Sequence, residues 1–158
     1  SAPPPGGGTL FQLPNSHSSH TYALMNSLIG GLGISSDLLE GAEPSVAAPL
    51  ISGELDDGLM SRAKETGKFL FKDLQAEERI DKINSMMGKL KAALDVETTS
   101  RLELSHSTDL DSVKLITQSD LRVQGLSVLL LHYCAGLQHA QELINRPEVK
   151  TDSQDTKK

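Results

Sequence analysis

The residues able to do chemistry in this sequence fall into four small groups, and their spacing decides against each. "HSSH" sets His17 and His20 three apart, a spacing that metal sites use on helices, but no Cys, Asp or Glu stands close enough to complete a ligand set. "GGLGISS" is rich in glycine, yet it lacks the Lys-Ser/Thr of a phosphate-binding loop and follows no strand-like run. Cys134 and His132 supply a nucleophile and a base, but two residues apart on a helix they point about 200° from one another and cannot share a proton. Asp56-Asp57 and Glu77-Glu78 are adjacent acids on a charged helix face, not a carboxylate pair facing across a cleft. No catalytic residue, metal ligand or cofactor is therefore expected, and the chain reads as a non-enzyme.

The elements that carry these residues are helical. Of 158 residues, 37% are apolar and only 3% aromatic, with no Trp. Large aromatics supply much of the burial in a dense core, so this composition suits helices that need partners. A net charge of −6 argues against nucleic acid, which requires clustered Lys and Arg. One Cys excludes an internal disulfide. The first basic residue is Arg62, so neither a secretory signal nor a transit peptide is expected at the start. Apolar runs are interrupted well short of the roughly 18 residues that a spanning helix requires, so no membrane insertion is expected.

Residues 1–52, dense in Pro, Gly and Ser, read as a largely disordered arm with two apolar islands, Tyr22 to Ile29 and Ser35 to Glu40. Residues 53–146 read as a helical hairpin, with a first helix over about 54–94 and Ser52 as its N-cap. Ile80, Ile83, Met87, Leu90 and Leu94, spaced three and four apart, mark one stripe of that helix. Gly58, Gly67 and Gly88 are places where it could break. Asp95 to Ser107 reads as a connector with an extended stretch at "RLEL". The second helix is expected over about 109–145, with Thr108 and Asp111 as a capping box and Pro147 as its stop. Residues 147–158 read as a polar tail.

The hairpin leaves a burial problem. From Leu126 to Leu137 the second helix is apolar nearly all round, and such a helix must be covered on every side. The first helix can cover one side, with Leu70, Leu74, Ile83, Met87, Leu90 and Leu94 as the packing residues. The other sides call for further copies of the chain, and Gly125 and Gly136 would let a neighbouring helix approach closely.

The second helix also resembles a family. "QSDLRVQGLSVLLLHYCAG" followed by "LQHAQEL" is similar to the C-terminal helix of the inner rod subunits of bacterial type III secretion systems. The matching positions are Gln118, Leu121, Val128, Leu130, Leu131, Ala135 and Gly136, with Leu143 near the family's last Leu; they cover about residues 109–143. The resemblance implies an all-α virulence-apparatus subunit exported by a type III pathway and packed into a conduit in the bacterial envelope. Its partners would be itself, as a homo-oligomer, and needle and export-gate subunits. The assembly interface would be Gln118, Leu121, Gly125, Val128, Leu130, Leu131, Ala135, Gly136 and Leu143. From the residues alone, a soluble helical adaptor or chaperone subunit binding a partner helix in a cytosolic complex is the alternative.

Overall fold

The computed structural model describes residues 31–146. Over them the chain is all-helical, with four α-helices and no strand: α1 Pro44–Ser52, α2 Leu59–Thr66, α3 Ala76–Leu104 and α4 Leu110–Ile144. Two 3₁₀ turns, Ser36–Leu39 and Gly67–Phe69, complete the order. The first 30 residues, including the apolar island Tyr22 to Ile29 and the pair His17 and His20, lie outside the described residues, as does the tail from residue 147.

The arm expected over 1–52 is structured in its described part. Pro44 opens α1 at a position where a missing N–H costs nothing, and Gly53 closes it in the left-handed region at φ 87°. Ser52 thus ends a helix instead of capping one. Pro49 sits inside α1 and leaves the Ser45 carbonyl without its helical donor. The Arg62 guanidinium of α2 replaces that donor, with Nε at 3.3 Å and Nη2 at 3.2 Å from the Ser45 oxygen. Arg62 also makes a two-point ion pair with Asp56 at 2.8 and 2.9 Å, and this contact draws the Asp56 carboxyl down to about 2.

The single first helix expected over 54–94 is two helices. α2 tightens into the Gly67–Phe69 turn, Phe71 takes a positive φ of 48°, and α3 begins only at Ala76. Gly67, not Gly88, marks the break. Gly88 lies mid-α3 with open space where a side chain would be. The connector expected from Asp95 belongs to α3, which continues to Leu104. Its buried stripe is Arg79, Ile83, Met86, Leu90, Glu97, Ser100 and Leu104, so a heptad-like seam runs on after the apolar residues stop. Ile80, Met87 and Leu94 flank that seam instead of centring it. α4 has Asp109 as N-cap with no side-chain cap bond, in place of the expected Thr108–Asp111 box. Its seam of Ser119, Arg122, Leu126, Leu129, Tyr133, Gly136 and Ala140 alternates three and four and lies along α3. The core gathers Leu32, Leu38, Val46, Leu50, Leu59, Ala63 and Leu70 with residues of both long helices.

Candidate functional site

Each long helix brings polar side chains into the core, and each finds a partner. Arg122 of α4 holds Glu97 of α3 by two parallel bonds of 2.8 Å, Nε to Oε1 and Nη2 to Oε2. Ser119 donates to the same carboxylate at 2.6 Å. Such fork geometry is the strong form of an ion pair, and here it is buried. The same helix face reaches the entering chain: Gln118 Nε2 donates to the Gly31 carbonyl at 3.1 Å, and Arg122 Nη1 to the Leu32 carbonyl at 3.4 Å.

About three and five turns further on, α4 grips the segment before α3. His132 is fully buried, and its Nδ1–H donates to the Ala63 carbonyl of α2 at 2.7 Å. The Glu43 N–H at the start of α1 donates to its Nε2 at 3.2 Å. Those two bonds set the neutral tautomer, and burial holds the imidazole pKa below its ordinary value. Arg79 of α3 donates from Nε to the Leu70 carbonyl at 2.8 Å, from Nη2 to Lys68 at 3.1 Å and from Nη1 to His139 Nδ1 at 3.1 Å. Burial and the neighbouring Arg79 push the His139 pKa down. Tyr133, also fully buried, donates to the carbonyls of Leu38 and Glu40, and its burial pushes the phenol pKa up.

Beside these latches opens a groove of about 860 Å³. The positive φ of Phe71 turns its ring toward Tyr133, with ring centroids 6.4 Å apart. Phe69 and Leu74 stay 42% and 39% exposed and line the groove. Lys68 and Lys72 ammonium groups sit 5.4 and 5.1 Å from the Phe69 ring centre. Four carboxylates (Glu40, Asp73, Glu78, Asp81) face two ammonium groups (Lys72, Lys82) around it, a local balance of −2. This is an open groove lined by apolar side chains and an excess of carboxylates.

The residues expected to form an assembly face are mostly occupied within the chain. Gly125 is buried against Leu32, Ile34 and Leu50; a Cβ there would stand 3.0 to 3.3 Å from their side chains. Gly136 is buried against Leu70 and the Gly67 carbonyl, with the corresponding distances 2.7 and 2.9 Å. Val128 is buried, and Leu121 and Leu130 pack on the core. Leu131 and Ala135 are half-buried beside Cys134, and Leu143 is exposed. Of the expected hairpin-packing residues, Leu70, Ile83 and Leu90 are buried, and Met87 and Leu94 flank the core. Leu74 is the exception and lies on the groove. Cys134 is exposed and His132 buried on another side, so they form no couple.

Sequence reasoning missed Arg79, Glu97, Arg122, Phe69 and Phe71. The three charged residues carry one legible signal, since each falls on the three-four spacing of an otherwise apolar seam. Among the described residues, no group of three or more His, Cys, Asp and Glu side chains could hold a metal, and no helix is long and apolar enough to cross a membrane.

No family model matches the chain, and no solved structure matches it. A stretch of 99 residues is 33% identical to a human protein named PDZ domain-containing protein 8, covering 58% of this chain and 9% of that protein. The mouse protein of the same name is 34% identical over 101 residues, 59% of this chain and 9% of its own length. These relatives are animal proteins, which overturns the bacterial type III inner rod and its virulence and secretion roles. The envelope or secreted location rested on that resemblance alone. The matched pattern has a local physical origin: Gln118 binds a carbonyl of the same chain, and Gly136 makes room for Leu70. The chain spans only 9% of the length of the curated relatives it matches.

Proposed function

We propose that this chain is a non-catalytic helical interaction module of the kind carried within larger PDZ domain-containing proteins. α3 and α4 act as an antiparallel hairpin frame, a reading supported by the pairs Arg79–His139 near one end and Glu97–Arg122 further along. Phe69 and residues 71–74, which join α2 to α3, line the groove with Glu40 and the first turns of α3. The carrying observation is the groove itself: Phe69 and Leu74 line it and stay exposed, while Phe71, also in its lining, stacks on Tyr133. Aromatic anchors on an ordered frame are the usual energetic centres of protein interfaces. The excess of carboxylates selects a protein segment that places an aliphatic or aromatic residue beside Lys or Arg. The polar groups that could do chemistry are committed elsewhere, since His132, Arg79, Arg122 and Glu97 are buried and bound to backbone or to each other.

The test is selection from a displayed library of random peptides on the intact chain. The proposal expects enriched peptides with an apolar residue next to a basic one. Their affinity should fall at least about tenfold with Phe69→Ala or Glu78→Lys, as truncation of an interface anchor does. Enriched peptides without that pattern, or affinities that neither substitution changes, would overturn it.

A further inference from the structure

His132 and His139 stand seven residues, two helical turns, apart on α4, and both serve one segment of the chain. His132 bonds Ala63 in α2, and His139 meets Arg79, whose other nitrogens hold the Lys68 and Leu70 carbonyls just beyond α2. Each histidine makes one contact that requires a neutral ring, whereas the His132 bond to the Ala63 carbonyl survives protonation. His132 must accept from the Glu43 N–H, and a protonated imidazole has no acceptor nitrogen to offer. His139 must accept from a guanidinium, and its protonation would set two cations 3.1 Å apart. We propose that the two histidines form an acid-released latch, which holds the segment from Glu43 to Leu70 on α4 at neutral pH and lets it swing away when both rings take up protons.

The surroundings decide the direction. His132 faces the Glu43 carboxylate from the start of α1, the Ala63 backbone of α2 and the Tyr133 ring on α4, with ring centroids 6.0 Å apart. The Ala63 carbonyl and, less strongly, the Glu43 carboxylate favour protonation, but burial opposes it more strongly than either. His139 faces Arg79 from α3, Lys68 from the turn, Glu142 from α4 and Arg146 just beyond its end; three of these four disfavour a second positive charge. Lys64 and Glu65 of α2 line the same surface hollow and offset one another. The polar bonds that tie α3 to the far half of α4 run through Glu97, Arg122, Ser119, Arg101 and Asp120, with no histidine among them. Acid therefore acts on one segment first. Each ring held neutral when latched and free to protonate when open increases opening by up to about tenfold per pH unit below about 6.5.

The test is hydrogen exchange of the full chain, as protection factors corrected for intrinsic rates, at about pH 7.5 and about pH 5.5. The latch predicts that protection across Leu59 to Phe69 falls at least about tenfold on acidification, while Ile83 to Leu90 of α3 and Leu126 to Leu129 of α4 keep theirs. The variant carrying His132→Gln and His139→Gln should lose that pH dependence. Imidazole proton resonances in the unmodified chain give a second reading that needs no variant, and both rings should titrate below the free-histidine value. Equal loss of protection in all segments, a variant that keeps the pH response, or rings that titrate at or above the free value would overturn the latch.

Discussion

At the scale of single residues, the polar side chains inside the bundle have the clearest consequences. Removing one member of a buried, doubly bonded pair leaves the other charge buried without a partner, at a cost of about 3–5 kcal/mol. Glu97→Ala should lower the unfolding free energy by that amount in urea titration. Replacing Glu97 and Arg122 together by Met and Leu should cost much less, because no charge is then stranded. His132 adds a pH effect whose sign follows from its depressed pKa. The unfolded ring binds protons near pH 6.5, and the folded one only at lower pH. The stability contributed by the neutral ring is therefore full above about 6.5 and declines as pH falls from there toward the folded value. Thermal melts should show a midpoint that drops through this window, with the drop reduced in His132→Gln. These residues were hard to read in the sequence because charge normally marks a solvated face, and only seam spacing sets Arg79, Glu97 and Arg122 apart.

At the scale of elements, α4 was legible because its cap region, apolar belt and following Pro147 all point to one long helix. The break at Gly67 was not, since a glycine in a helical pattern marks a hinge or a close approach with equal ease. Here it is close approach: an added Cβ would stand 2.6 Å from the Ala135 Cβ and 2.8 Å from the Gly136 nitrogen and the His132 oxygen. Backbone cannot yield as a side-chain tip can, so Gly67→Ala should destabilise the chain by about 1–3 kcal/mol. Gly88 has nothing within 4 Å and ordinary helical surroundings, so Gly88→Ala should stabilise it by about 1 kcal/mol. Parallel urea titrations of the two variants separate these roles by sign. α1 was hidden for a different reason. Pro49 reads as a helix breaker, and only the distant Arg62 guanidinium makes its helix tolerable.

At the scale of the whole molecule, the apolar belt of α4 raised a real physical problem, and the structure meets it within one chain. α3 covers one side; Leu32, Ile34, Leu50, Ala63 and Leu70 cover others, and Gly125 and Gly136 accommodate them. Sequence periodicity could not reveal the whole cover, because Leu32, Ile34 and Leu50 come from a Pro- and Gly-rich stretch whose pattern has no regular period. With the belt clothed from within, burial no longer calls for further copies of the chain. Among the described residues, the large apolar side chains that stay exposed away from the groove include Leu110, the most open at 81%, with Val113 one turn on. The most direct test is the mass of the purified chain in solution, by light scattering or sedimentation over a wide range of concentration. A single species of 17.0 kDa throughout is the predicted result. Mass that climbs with concentration, and falls back when Gly136 is replaced by Leu, would contradict the account by showing that the belt is covered by neighbouring copies.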